Sequence, residues 1–266
     1  AARAAIARGE RRVLVTAPTG AGKTRMMAEL IDKWLDQDHK IALYTNRKLL
    51  VEQTSRVMTA HGISHGVRAA GWSDDDQFEP VQICSLQTED ARVFKSGKWR
   101  LHDAARVIVD EAHIQKGTVA TKVLDCHHQE GAAYVGFTAT PIDLADLYNN
   151  LIVAGTNSEC REVGALLPAD HYGPDEPDLK GFVLREGEDL TEKQCVKAMM
   201  RNGIFGRVYE NWIRLNPARK PTILFAPGVA ESIWFAEEFT KQGVRAAHID
   251  GQDVWLDGKL QRRNWH

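Results

Sequence analysis

Lys23 and Thr24 close the run Ala17-Pro18-Thr19-Gly20-Ala21-Gly22-Lys23-Thr24, whose residue types suit one task, holding a chain of phosphates. Gly20 and Gly22 let the backbone curl so that successive N–H groups, those of Thr19 and Ala21 among them, point inward at phosphate oxygens. The Lys23 amine can then reach the β- and γ-phosphates, and the Thr24 hydroxyl can ligate the Mg²⁺ that bridges them. The spacing follows G-x-x-x-x-G-K-[ST] with one departure: Ala17 stands where the first glycine usually sits. Upstream, residues 11–17 form a short β-branched run that reads as a buried strand. Downstream, Met26, Met27, Leu30, Ile31, Trp34 and Leu35 recur at helical spacing. The loop therefore joins a strand to a helix, whose N-terminal dipole end favours the same anion.

A second constellation lies in Arg106-Val107-Ile108-Val109-Asp110-Glu111-Ala112-His113. This β-branched run ends in two consecutive carboxylates. In an open parallel α/β sheet, ligands gather at the C-terminal ends of the strands, so such a run delivers its acids beside the phosphate loop. Asp110 would hold Mg²⁺ directly or through water. Glu111 would orient and deprotonate an attacking water, the base role that phosphoryl transfer to water requires.

The elements that must position these groups alternate along the chain. Strands are expected near residues 12–17, 40–45, 81–86, 106–110 and 133–138, and helices near 23–36, 47–61 and 117–128. Residues 1–8 read as the tail of a helix. Alternation of this kind predicts an α/β fold with a parallel sheet covered on both faces, ending about residue 152. Residues 153–202 read as a connector with short helices, concentrated in Pro, Gly and Asp over 166–181. Residues 203–266 then begin a second unit, with a strand and helix expected over 220–239 and another strand over 244–251.

The chain resembles superfamily 2 helicases and translocases of the DEAH-box kind, in particular the type III restriction-like, phage and repair branch. Residues 17–24 match motif I of that family, and Asp110-Glu111-Ala112-His113 matches motif II letter for letter. Gly136-Phe137-Thr138-Ala139-Thr140-Pro141 is similar to motif III, residues 45–53 to motif Ia, and residues 83–92, with Ser85-Leu86-Gln87-Thr88, to motif Ib. Five matches in order make a specific signal. The resemblance implies two RecA-like domains, the first complete and the second only begun, with ATP and Mg²⁺ bound by the first. It implies that His113, Thr138 and Thr140 couple the nucleotide site to a nucleic-acid strand. It also makes Arg47, Lys48, Ser85, Gln87 and Thr88 candidates for that strand's track, with Arg68 and Arg92 behind them. DNA, single-stranded or duplex, is the expected partner, with RNA the alternative, in the cytoplasm of a bacterial or phage-infected cell. Motifs V and VI do not occur within the 266 residues, nor does an adenine-reading glutamine before the loop. The expectation is that these residues alone bind nucleotide and hydrolyse it weakly, as a piece of a longer protein would.

Composition sets outer limits. Lys and Arg number 34 against 36 Asp and Glu, which disfavours a passive coat held to nucleic acid by bulk charge but permits a local track. No run of eighteen apolar residues suggests a membrane span. Cys84, Cys126, Cys160 and Cys195 lie more than thirty residues apart, which excludes a C-x-x-C pair and suits reduced thiols in a cytosol. Two rival functions remain open at this stage: a phosphate-loop ATPase switch without strand translocation, and an annealing module with a vestigial nucleotide site.

Overall fold

The computed structural model describes residues 1–46, 48–73, 76–172, 191, 204–256 and 258–262. Two compact units divide it, Ala1–Asp170 and His171–His266.

The first unit is built on seven strands: β1 (Arg12–Thr16), β2 (Ile41–Thr45), β3 (Gly66–Arg68), β4 (Val81–Ser85), β5 (Arg106–Val109), β6 (Ala133–Thr138) and β7 (Asn150–Val153). Their order across the sheet is β3-β4-β2-β5-β6-β1-β7, and every pairing is parallel. The central strands are buried on both faces, which explains their near-continuous Val, Ile and Leu runs. On one face α1 (Ala2–Ala7), α2 (Lys23–Leu35) and α3 (Lys48–Ala60) bury Met27, Ile31, Trp34, Val51 and Met58 against Val13, Ile41, Leu43 and Ile83. On the other, α4 (Leu86–Glu89) and α5 (Thr118–Gln129) cover Leu14, Tyr44, Val107, Val109 and Tyr134. A π-helical turn, Asp90–Lys95, continues α4, and α6 (Asn157–Glu162) follows β7 behind a Thr156–Glu159 capping box. Gly136, in the middle of β6, lacks a side chain because the Tyr148 ring occupies its place; a Cβ there would meet the ring at 2.5 Å.

Two strands were missed by the pattern of the sequence. β3 is three residues long and contains glycine and arginine, while β7 is a four-residue edge strand with one face exposed. Neither length nor alternation announces them.

A buried polar contact fixes α5 to the sheet. The Tyr44 hydroxyl lies 2.8 Å from His127 Nε2, and burial holds the His127 pKa down at about 4. The ring is therefore neutral in the folded chain, whereas an unfolded histidine takes up a proton near pH 6.5. The folded pKa is the lower one, so this contribution to stability is complete above about pH 6.5 and is lost as pH falls toward about 4. Up to about 3 kcal/mol is at stake. Calorimetry is expected to show the unfolding temperature dropping across that window, and His127→Gln should flatten the slope. Buried His102, also held low by burial, supplies a remainder.

In the second unit, α7 (Ile204–Leu215) packs on α8 (Val229–Lys241) through Tyr209, Trp212 and Phe239. The strands β8 (Ala247–Ile249), β9 (Asp253–Leu256) and β10 (Lys259–Arg262) form an antiparallel sheet. His248 joins β8 to α8, its Nδ1 lying 2.7 Å from Ser232 Oγ. The strand expected after residue 220 is absent. Residues 221–226 belong to no helix or strand and leave Ile223 82% and Phe225 91% exposed. A β-branched run becomes a strand only with a neighbour to pair, and among the described residues none flanks this one. The expected strand over 244–251 exists but pairs antiparallel with β9. Most of the connector, Cys195 and Arg47 lie outside the described residues.

Candidate functional site

The matched motifs converge at the C-terminal edge of the first unit's sheet. The phosphate loop follows β1, the acidic pair follows β5, Thr138 ends β6, Asn46 follows β2, and Ser85 ends β4. A single edge thus collects residues spread over more than a hundred positions.

In the loop, Gly20 and Gly22 adopt φ of 84° and 83°, left-handed values that side chains rarely take. Gly22 is the N-cap of α2 and has no side chain to satisfy the helix's first amides, which leaves them available to an anion. Ala17 N–H donates to the Thr138 carbonyl at 3.1 Å, tying the loop's start to β6. The Lys23 amine lies 3.4 Å from the carbonyls of Ala17 and Pro18, folded back on the loop it serves. Leu166, beyond α6, sits over Gly20 so closely that a Cβ there would lie 2.9 Å from its Cδ2. Beside the loop, a groove of about 1030 Å³ is lined by residues of α1 and α2, with Ala21, Gly22, Arg25 and Met26 among them.

The acidic pair is held from several sides. Asp110 N–H donates to the Tyr44 carbonyl at 2.9 Å and Ala112 N–H to the Phe137 carbonyl at 2.9 Å, so the turn is bound to both neighbouring strands. Glu111 has φ of 47°, an uncommon conformation for a residue with a side chain. Its N–H donates to Asp110 Oδ1 at 2.9 Å. Burial, and then the adjacent Glu111 charge, push the Asp110 carboxyl up to about 6, with the hydrogen bond from the Glu111 N–H and then the Lys23 charge acting the other way. A half-buried carboxylate of this kind favours a cation, and with the Thr24 hydroxyl it makes a hard-oxygen donor set of the sort Mg²⁺ takes alongside phosphate oxygens and water.

The third motif joins the second directly. His113 Nδ1 lies 2.9 Å from Thr138 Oγ1 and 3.4 Å from Glu111 Oε2. The Thr140 N–H donates to the same Thr138 hydroxyl at 2.9 Å. A contiguous chain of polar contacts therefore runs from Glu111 to Thr140.

The track candidates separate. Lys48 and Gln87 are exposed and Ser85 is half-buried; Ser85 Oγ donates to Gln87 Oε1 at 3.1 Å, and Gln87 Nε2 donates to Asn46 Oδ1 at 3.1 Å. Thr88 is buried and its hydroxyl accepts from the Ala70 N–H at 3.2 Å. Arg68 is 3% exposed, paired with Glu89 at 2.5 Å and stacked on Trp99, so its charge is already spent inside the fold. Arg92 lies over the same Trp99 ring, its guanidinium carbon 4.2 Å from the centroid. Asn46 lies within the motif Ia match without having been singled out, and Gln115 carried no motif signal. Gln115 is 3% exposed, and its Nε2 donates to the carbonyls of Tyr44, at 3.2 Å, and Asp110.

An all-parallel sheet with a phosphate loop and an acidic turn on one edge defines a RecA-like nucleotide-binding domain. Residues 1–143 match the family described as type III restriction enzyme, res subunit, and the chain belongs to that family. A 51.5 kDa protein of a Lactococcus phage (isolate 7-9) is 22% identical over 244 residues, covering 90% of this chain and 49% of its own. The chain thus spans about half the length of that relative. Among solved structures, the helicase domain of Pyrococcus furiosus Hef is similar with a TM-score of 0.50 and 17% identity, over 87% of this chain and 52% of that one. The UvsW helicase from bacteriophage T4 matches with a TM-score of 0.46 and 19% identity, over 54% of each chain. Among the described residues no helix is long and apolar enough to cross a membrane.

Proposed function

We propose that this chain is the ATP-binding part of a DEAH-box helicase or translocase that acts on DNA and couples ATP hydrolysis to movement along a strand. The observation that carries this reading is the unbroken polar path from Glu111 through His113 and Thr138 to Thr140, at the edge where the phosphate loop and the Ser85–Gln87–Asn46 cluster also end. A switch without a track has no need of that cluster.

The chemistry follows from the residues. The amides of residues 19–24 and the α2 N-terminus bind the β- and γ-phosphates, and Lys23 leaves the Ala17 and Pro18 carbonyls to join them. The groove lined by α1 and α2 is the place for the nucleoside. Thr24 and Asp110 would hold Mg²⁺, which when bound neutralises charge on the phosphate oxygens. Glu111 orients the attacking water and takes its proton. His113 and Thr138 feel the change at Glu111 and pass it along the sheet edge. Lys48, Ser85 and Gln87 hold the strand's phosphates without reading bases.

Steady-state ATPase measurements on the full-length protein, titrated with single-stranded DNA, duplex DNA and RNA, test the proposal. Stimulation by DNA is the expected result. Stimulation by RNA alone would change the track, and hydrolysis indifferent to all three would replace the motor by a switch.

A further inference from the structure

Gln115 plays no part in the chemistry described above, yet its side chain is buried beneath the acidic turn. Its amide NH₂ donates to two backbone carbonyls, Tyr44 at the end of β2 and Asp110 at the end of β5. The Tyr44 carbonyl already accepts the Asp110 N–H, so the amide bridges the last ladder bond before the turn. The group cannot be turned over, because its oxygen would then face both carbonyls. Its Oε1 is buried without a partner, a cost the fold bears to keep the NH₂ where it is.

The consequence falls on Glu111. The Asp110 carbonyl and the Glu111 N–H belong to one rigid peptide plane. Holding that carbonyl sets the tilt of the plane and with it the φ of 47° at Glu111. Left-handed backbone at a residue with a side chain persists only where its surroundings over-determine it. Three further bonds surround the turn: Ala112 N–H to Phe137 O, Ile114 N–H to Glu111 O, and Gln115 N–H to Ala112 O. Only the Gln115 side chain grips the Asp110–Glu111 plane from the carbonyl side among these contacts.

We propose that Gln115 is a positioning residue that holds the Asp110–Glu111 peptide in its left-handed setting and thereby aims the Glu111 carboxylate; the catalytic half of this statement rests on the proposed ATPase reading. Two variants of the full-length protein test it. Q115M keeps length and volume but has no donor. Q115H restores one N–H donor at similar reach.

The first readout is amide hydrogen exchange over residues 110–116 without nucleotide. Q115M is expected to raise exchange there about tenfold while the rest of the sheet keeps its protection, and Q115H to recover part of the difference. The second is ATP turnover with the stimulating polymer present. Misplacing a catalytic group by a fraction of its reach costs about ten- to a hundredfold in rate. That loss is expected in kcat, with KM for ATP within about twofold, because the phosphate loop is untouched. Wild-type exchange and wild-type kcat in Q115M would overturn the proposal. So would exchange raised evenly over the whole unit, the mark of a residue that merely supports folding. A wild-type protein that hydrolyses no ATP would refute the ATPase reading instead, and the exchange measurement would still decide what Gln115 holds.

Discussion

Glu111→Gln in the full-length protein will slow ATP hydrolysis by roughly 10²–10⁴-fold, the usual worth of a general base. Nucleotide affinity should stay within about twofold of wild type. Glutamine has the shape of glutamate, so the turn, its bonds to β2 and β6, and the phosphate loop are left in place. What disappears is the carboxylate that accepts a proton from water. The half-buried Glu111 side chain lies 3.4 Å from His113 Nδ1, which keeps the acid in the polar path that ends at Thr140. Steady-state turnover and titration with a fluorescent ADP analogue would be read side by side. Wild-type turnover in the variant would remove Glu111 from the chemistry and with it the proposed mechanism.

Asp110→Asn should have two effects of opposite sign. The Asp110 carboxyl is raised to about 6 in the folded chain, from an ordinary value of 3.8, chiefly by burial and then by Glu111. A carboxyl raised in this way costs stability as pH climbs through that interval, and the whole cost is present above about pH 6. Asparagine removes the charge and keeps an oxygen for the Glu111 N–H. At neutral pH the nucleotide-free variant is therefore expected to be more stable than wild type by about 1–3 kcal/mol, a rise of several degrees in the unfolding temperature. The gap should close as pH falls below about 4. Hydrolysis, in contrast, should fall steeply, and Mg²⁺ with nucleotide should stabilise the variant less than wild type. Thermal melts with and without Mg²⁺-nucleotide across pH decide the matter. A variant less stable than wild type at neutral pH would show that the carboxylate is already compensated inside the fold.

Much of this site was legible in the residues because its parts are local. Lys23 and Thr24 follow their glycines directly, Asp110 and Glu111 end a β-branched run, and such runs buried on both faces mark β1, β2, β4, β5 and β6. What escaped depends on contacts between distant segments. Gln115 reads as one polar residue in a loop, and only folding brings it beneath the carbonyls of Tyr44 and Asp110. Arg68 and Thr88 read as surface groups, yet Glu89 and the Ala70 amide draw them inward. The run at 221–226 errs in the other direction. Its composition is that of a strand, but strand formation is a property of pairs, and composition describes one partner.

β7 is the least conspicuous strand of the first unit, and it shields the most consequential one. β1 carries the phosphate loop, and on its outer side Val13 to Thr16 are paired with Asn150 to Val153. Just beyond, the Ala154 N–H donates to the Thr16 carbonyl at 2.8 Å, one residue before the loop begins. Were the polypeptide cut ahead of Asn150 to make a minimal nucleotide-binding fragment, β1 would become an open edge, a template for other chains to add to. Such a fragment would contain every recognisable motif letter and still be prone to precipitate. Expression boundaries are better placed beyond α6 and Leu166, where the chain has finished closing the sheet and covering Gly20.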